Sequence, residues 1–588
     1  MLTAMNDEEK KERRITRRRF LGAAAGALGV GGVAAGCRRA EKQDGPGLAT
    51  PSDETPAPGA TASATRPSGV QPGGTLRYTG FVIADDGSEG KYDPQKTQSA
   101  PFYGHQAMVY SRLLAYRDMG QGSIAADLAA ALPEQPDAQT YVFRLNPAAR
   151  WHDRAPLGGR PVTAEDVRFT LERQIQGDAS FVRKAKWAAV DSIAVSDPHT
   201  VTIRLKSPLA AMLGQFADVN SFVIAREAAE RGFTLENQVG SGPFRWVEWS
   251  EKKFASVARN PAWHGGDGRP YLDGVDVLQP RDTSEVEAWL RTKKLDVAFV
   301  GRPQAEKLRA VIPALTDETV GQSRFFGMRF FTPQFPYSDQ RFRSAVSYAL
   351  DRREMLQKFF AGSGEVNPWI SWPIKRWTLP QAELATRPGY RPGASGRADD
   401  LKEAKALLDA FKGEKELPKD PLALLVVDEA EKNLGMGSII KSQLKLSLDL
   451  EVGVYPVPAA ELGQRLLTLN APWAAGPDDG WVDLDDWVYP YFHSQGTKNT
   501  FPLRDAGIDA LIESQRVELN EEKRQGIGYE IQRKLLELNV GVNFVSERVV
   551  ALAWPYVRGL PLDAADGYQH RLADCWIDQG DPTFRGRQ

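Results

Sequence analysis

The chain has 588 residues, more than a single hydrophobic core holds, so at least two lobes are predicted. Its composition, 42% hydrophobic and 26% charged, is that of an ordinary soluble protein. The net charge of −2 divides into a basic start, 7 Lys+Arg against 4 Asp+Glu in residues 1–36, and a body at −5, which excludes nucleic acid as a partner. Two cysteines, Cys37 and Cys575, exclude a disulfide framework, and six scattered histidines give no zinc spacing, so neither cofactor nor metal is expected.

The first element in chain order is an address. Residues 16–37 read TRRRFLGAAAGALGVGGVAAGC: arginines, then an uncharged run of 18 residues from Phe20 to Cys37, of which 12 are Gly or Ala. So little apolar area makes a poor permanent membrane anchor and a reasonable export signal. Thr16-Arg17-Arg18-Arg19-Phe20-Leu21 resembles the twin-arginine (Tat) consensus, with Arg17 and Arg18 as its paired arginines. Ala34-Ala35-Gly36-Cys37 resembles a bacterial lipobox with Ala34 where Leu is usual, which implies lipidation of Cys37; a simply cleaved signal is the alternative. From Glu41 to Gly74 the chain is rich in Pro, Gly, Ser, Thr and Ala and cannot bury a core. It reads as a disordered tether of roughly 30 Å r.m.s. reach. Residues 1–37 are therefore signal and 38–74 tether, and the protein is expected outside the cytoplasm, in the periplasm or on the outer face of the cytoplasmic membrane, held by lipid.

The folded body begins near Thr75 with a predicted strand over Thr75–Ile83. Tyr141–Leu145 and Val201–Leu205 alternate with period two, as half-buried strands do. Thr163-Ala164-Glu165-Asp166 has the form of a capping box opening a helix with Val167, Leu171 and Ile175 one turn apart. A longer helix is predicted from Ser338 to Phe360, with Phe342, Val346, Ala349, Leu350, Leu356 and Phe360 as its apolar stripe. Leu422–Val427, a helix to Leu446 and a strand at Leu450–Tyr455 form a βαβ pattern, and Asn520–Val540 reads as a charged amphipathic helix. The class is α/β.

Near the end of the body GWVDLDDWVYPYFHSQGTKNT, from Gly480, sets Asp483, Asp485 and Asp486 between Trp481 and Trp487. A carboxylate desolvated beside indole rings gains a charge-assisted hydrogen bond when a cation arrives, and the rings add cation–π attraction. Trp369 and Trp372, in VNPWISWPIKRW, are further candidate walls for such a pocket. Three alternatives stand beside it. The aspartates could lie on a solvated loop with the tryptophans in a core. Asp483, Asp485 and His493 could hold a metal, although the calcium-loop pattern fails at Trp487 and Val488. A Tat-exported hydrolase is the last, yet the body has no Gly-x-Ser-x-Gly, HExxH or P-loop, and Cys575 reads as a small buried thiol.

Several stretches, in order, resemble the family 5 solute-binding proteins of ABC importers, the dipeptide, oligopeptide and nickel binders. They are Tyr92-Asp93-Pro94-Gln95, Ala126–Ala129, Thr140–Leu145, Trp151-His152-Asp153, Pro161–Val167, Val239–Phe244, Arg259-Asn260-Pro261, Lys294-Leu295-Asp296, Phe342–Arg352, Ala404–Leu408 and the segment around Trp481. Residues 154–159 depart from the family's single Gly after Asp153. Thr163, Gly240 and Gly242 read as folding features rather than ligand contacts.

The resemblance implies a two-lobed, hinged periplasmic-binding-protein fold (type II, cluster C-like). Lobe one would comprise 75–115, 238–331 and 549–588, an extra domain would be inserted at 116–237, and lobe two would be 332–548. It also implies a monomeric receptor, not an enzyme, that closes on peptides or similar amine-bearing solutes and docks on ABC permease subunits driven by cytoplasmic ATPases; metal-complex and sugar receptors are the variants. In peptide-binding members a W-x-x-D segment of the second lobe supplies the Asp that accepts the ligand's α-ammonium. Trp481 matches, but Leu484 stands three residues on, between Asp483 and Asp485. Either a one-residue slip keeps the role, or the contact has changed. The expected ligand-binding residues are thus Asp483, Asp485, Trp481, Trp487, Trp369 and Trp372.

Overall fold

The computed structural model describes residues 69–80, 90, 92–97, 100–119, 122–178, 180–181, 183–366, 375–428, 431–478, 482–562 and 567–587, all within the unit Thr61–Gln588. The signal with Arg17, Arg18 and Cys37, and the tether up to residue 68, lie outside the described residues; so do Trp369, Trp372 and Trp481.

In chain order the strands are β1 (Thr75–Thr79), β2 (Leu114–Asp118), β3 (Ser123–Ala126), β4 (Glu134–Asp137), β5 (Thr140–Arg144), β6 (Val190–Asp197), β7 (Thr200–Leu205), β8 (Phe244–Ser250) and β9 (Phe254–Arg259). They continue with β10 (Gly274–Leu278), β11 (Val297–Val300), β12 (Thr316–Phe330), β13 (Gly364–Val366), β14 (Leu422–Val427), β15 (Val452–Val457), β16 (Trp473–Asp478) and β17 (Gly541–Ala553).

One sheet runs β15-β14-β16-β12-β17-β11-β1-β10-β9-β8, with β13 paired to β17. At its centre is the antiparallel ladder of the two long strands β12 and β17. Phe325–Phe330 of β12 pairs with β16, whereas Val550–Ala553 of β17 pairs with β11, so the two ends of the sheet meet through this ladder. Its register slips between Gly321 and Phe325 and again between Phe326 and Gly327. Such irregularities bend a strand and raise its twist.

Each end of the sheet has its own core. Leu76, Val257, Val275, Val297 and Leu552 belong to one; Val346, Leu424, Ile440 and Trp473 belong to the other. A separate sheet, β4-β5-β7-β6, lies within residues 116–237 over a third core that contains Tyr141, Phe143, Trp187 and Val201. Several cores in one chain are what its length requires.

The period-two strands are present as expected: β5 and β7 pair antiparallel, Tyr141 opposite Ile203, and bury alternate residues. The helix Ala164–Gln176 opens where expected, with the Thr163 N–H donating to Asp166 Oδ2 at 2.9 Å and Val167 and Leu171 buried. β14 and β15 are parallel and flank the helix Glu431–Leu448. The helix after Asn520 runs Glu521–Leu538, with Asn520 as its N-cap.

Two expectations are corrected. The first strand ends at Thr79 rather than Ile83, residues 81–83 being outside the description. The single helix from Ser338 to Phe360 is two, Gln340–Ala349 and Arg352–Phe360. Leu350 is extended, and the Asp351 side chain accepts from the Arg353 and Glu354 N–H groups, which starts a new helix. The buried Arg352 guanidinium donates to the carbonyls of Ser347 and Gly389 at 3.1 and 2.7 Å and satisfies the break. Both helices face the same core, so the apolar stripe runs on across it.

Two of the quoted stretches meet. The His152 N–H donates to the Gly240 carbonyl at 2.8 Å, and His152 Nε2 lies 3.1 Å from the Gly242 carbonyl. A Cβ at Gly240 would stand 2.0 Å from the Val109 carbonyl oxygen, so only glycine allows this approach.

Candidate functional site

After β16 the chain enters the helix Leu484–Phe492, so the aspartates do not lie on a solvated loop, one of the alternatives. Asp483 is its N-cap, accepting from the Asp485 N–H at 2.9 Å, and Asp485 and Asp486 stand in its first turn. Carboxylates there offset the partial positive charge of unpaired N–H groups. The apolar residues of this helix, Leu484, Val488 and Phe492 among them, pack on Ile508, Ile512, Ile531 and Leu535 of the helices Ala506–Val517 and Glu521–Leu538. A Cβ at Gly528 would fall 2.8 Å from Leu484, so glycine lets the helices close together. This packing carries Gln515, Arg516 and Arg524 to the aspartates.

Arg524 grips both oxygens of Asp483, Nη1 to Oδ2 at 3.0 Å and Nη2 to Oδ1 at 2.5 Å, and Arg376 Nη2 lies 3.8 Å away. Asp485 Oδ1 accepts from Gln515 Nε2 at 2.6 Å and lies 3.2 Å from Arg516 Nε. Burial pushes both carboxyls up; at Asp483 Arg524, with Arg376 and the Asp485 N–H, more than reverses this, whereas Asp485 stays above the usual carboxylate range. The expected open acceptors of a ligand ammonium are therefore carboxylates already engaged by the chain's own side chains. Trp487, expected as a wall, is 4% exposed and packs against Phe325, Tyr491 and Phe492 in a core.

Asp486 takes its partner from residues 116–237, which pack over a different core. Lys186, on the short helix Lys184–Trp187 within residues 116–237, places Nζ 2.6 Å from Asp486 Oδ1 and 3.0 Å from Asp218 Oδ2. Arg183 Nε donates to the same Asp218 oxygen at 2.6 Å. Nearby, the Ala210 N–H donates to the Arg516 carbonyl at 2.7 Å, and a Cβ at Gly122 would fall 2.2 Å from Arg376 Cζ. Burial pushes the Asp486 carboxyl up to about 6 against the pull of Lys186, with Asp218 and Asp483 adding to the rise. Asp218 is equally buried, yet Arg183 and Lys186 hold it well below the usual carboxylate range. Behind it Arg112 donates from Nε to the Asp218 carbonyl at 2.9 Å and lies over the Phe222 and Tyr568 rings at 4.3 and 5.0 Å.

Among the described residues no three His, Cys, Asp or Glu side chains gather as a metal site, and His493 Nε2 instead faces Glu513 at 3.3 Å. Cys575 is a buried free thiol whose pKa burial pushes up to about 12. No helix among the described residues is long and apolar enough to cross a membrane.

Sequence reasoning named the three aspartates and missed Lys186, Asp218, Arg376 and Arg524. Arg376 lies within a stretch already singled out for its tryptophans, which was a usable signal. Arg524 lay on the charged face of an expected helix, where nothing distinguishes the one arginine that turns inward. Lys186 and Asp218 carried no signal.

Comparison with known proteins follows the same lines. The model for bacterial extracellular solute-binding proteins, family 5 Middle, matches residues 123–499. A Brucella ovis protein named as an ABC transporter peptide-binding protein is 24% identical over 294 residues, covering 49% of this chain and 53% of its own. The glutathione-binding protein GsiB of Salmonella typhi is 27% identical over 277 residues, covering 44% and 52%. The chain thus spans about half the length of the curated relatives it matches. The ABC transporter substrate-binding protein CtaP of Listeria monocytogenes superposes with a TM-score of 0.71 at 19% identity, covering 86% of this chain and all of that one. DppA of Helicobacter pylori, solved with the peptide STSA, gives 0.70 at 17% identity, covering 86% and 99%. These likenesses establish the two-lobed periplasmic-binding-protein fold.

Proposed function

The chain belongs to the bacterial extracellular solute-binding proteins of family 5, and on that premise we propose that it is the substrate-binding component of an ABC importer. It takes peptides or similar solutes between two lobes and delivers them to a permease. What supports this reading is one arrangement: on one side the halves are joined by the ladder of β12 and β17, and on the other they meet through the side chains of Lys186 and Asp486 and through the Ala210 N–H with the Arg516 carbonyl. Those contacts can part without breaking a strand. A solute touching both halves then favours the closed state by the difference between its contacts in the closed and open forms.

No bond in the solute needs to change, and the relatives named above are binding proteins; this chain is a receptor rather than an enzyme. Lobe one comprises 75–115, 238–331 and 549–588, carries the insert 116–237, and faces lobe two, 332–548, across the cleft, with the bend at the register slip near Gly321 and Phe325. Arg17 and Arg18 direct Tat export, and lipid on Cys37 holds the monomeric body at the outer face of the membrane, within reach of a permease pair.

The experiment is native mass spectrometry of the protein purified from its own cells, followed by release of what it carries. An intact peptide-sized solute that returns the ligand-free protein to its original scattering profile when added back is the expected result. A chemically altered solute, or a profile indifferent to every solute offered, overturns the reading.

A further inference from the structure

The interlobe cluster contains a cation of the chain's own where two carboxylates converge. Asp218 follows the helix Met212–Phe216, Asp486 sits on the helix Leu484–Phe492 of the other half, and Lys186 lies between them at 3.0 and 2.6 Å. All three side chains are nearly withdrawn from water, at 10%, 12% and 17% exposure. Two buried carboxylates facing one another need a cation, and an ammonium with three donors serves both.

A second observation points the same way. Arg112, wholly buried, donates from Nε to the Asp218 carbonyl, but its Nη1 has no acceptor among the described residues. Among the described residues, what this guanidinium lacks is an oxygen rather than another donor. Arg183 adds a further guanidinium on Asp218.

We infer that Lys186 is a specificity-determining residue: Asp218 and Asp486 form an ammonium subsite that the chain fills itself, so the solute end lodged beside it carries no positive charge and presents oxygen acceptors. This inference rests on the proposed capture of peptides between the lobes and narrows it to those whose N-terminus is blocked or lies away from this corner. A free α-ammonium brought here must displace Lys186 or stand beside it, and a like charge at such range in a desolvated site is unfavourable. Arg112 and Arg183 add to that repulsion.

The test is calorimetric titration of the wild type and of Lys186→Met with trialanine and with N-acetyl-trialanine. The wild type should bind the acetylated peptide at least about tenfold more tightly, a difference of about 1.4 kcal/mol, and Lys186→Met should reverse the order. A wild type that prefers trialanine, or the same order in both proteins, overturns the inference. If neither peptide binds either protein, the peptide reading fails, and the subsite is judged by chemical rescue. Propylammonium should raise the thermal midpoint of Lys186→Ala, with no such effect from propanol or on the wild type. Equal responses to the two additives overturn the subsite as well.

Discussion

Arg524 and Asp483 meet edge to edge, two nitrogens against two oxygens at 3.0 and 2.5 Å, with each side chain 6% exposed. A bidentate pair so far from water is expected to hold the helix Leu484–Phe492 on the helix Glu521–Leu538. Arg524→Ala strands the carboxylate and should cost about 3–5 kcal/mol in denaturant unfolding, whereas replacing both partners by apolar residues of similar size should cost much less. Asp483→Asn separates structure from recognition: a fall in stability larger than any fall in solute affinity is expected. Weaker binding at unchanged stability would return Asp483 to the role of ligand acceptor.

Closure should take up a proton. With Lys186 seated on Asp486, burial, with Asp218 and Asp483 adding and Lys186 opposing, sets the Asp486 carboxyl at about 6. Opening the cleft returns it to water and toward the ordinary value of about 4. The closed form therefore binds up to one more proton between about pH 4 and pH 6, so lowering the pH through that window favours closure. The radius of gyration of the ligand-free protein should shrink as the pH falls from about 7 to about 5, and Asp486→Asn should abolish the change. A variant that responds like the wild type would assign the titration to another group.

Acid should act oppositely on folding itself. Burial pushes His152 down to about 4 and His570 down to about 3, with Arg112 contributing at His570. At His152 the Gly240 N–H donates to Nδ1 at 3.4 Å and Nε2 donates to the Gly242 carbonyl at 3.1 Å, an arrangement only the neutral ring provides. The folded value lies below the ordinary 6.5. The stability tied to the neutral ring is therefore full above about pH 6.5 and is lost as the pH falls toward 4, up to roughly 3 kcal/mol for His152. Unfolding free energies measured across this window should decline, and His152→Gln should flatten the slope while lowering the plateau.

Much of the fold was legible because its signals are local. Tyr141, Phe143, Val201 and Ile203 alternate along single strands, and the Thr163 capping box is four residues long, so neighbours in sequence carry the whole message. The break at Leu350 was hidden for a physical reason: both helices bury their stripe in one core, and periodicity reports the face rather than the continuity. The site was half legible. Three aspartates among large rings marked the place, yet whether a carboxylate awaits a ligand depends on partners far along the chain. Lys186 and Arg524 are ordinary surface-type residues until the fold turns them inward. Trp487 has the same ambiguity, since an indole suits a pocket wall and a core equally well.

Another of the quoted stretches, Lys294-Leu295-Asp296, has a structural role that can be measured. Asp296 is fully buried and accepts from four donors: the Arg77 N–H at 2.8 Å, Tyr556 Oη at 2.7 Å, and Arg587 Nε and Nη2 at 2.8 and 2.7 Å. The same guanidinium reaches the Thr75 carbonyl, so one carboxylate ties the first strand of the body to residues near 556 and 587. Arg587→Ala leaves the carboxylate without its counter-charge and should cost about 3–5 kcal/mol, because a buried ion is then unpaired. Tyr556→Phe removes one hydrogen bond to a charged group and should cost about 1.5–3 kcal/mol. Limited proteolysis should cut Arg587→Ala first near residue 75, where the strand has lost its tie, while the helix Leu484–Phe492 stays protected. Equal loss of protection in both places would mean that the halves unfold as one unit and that Asp296 does not act locally.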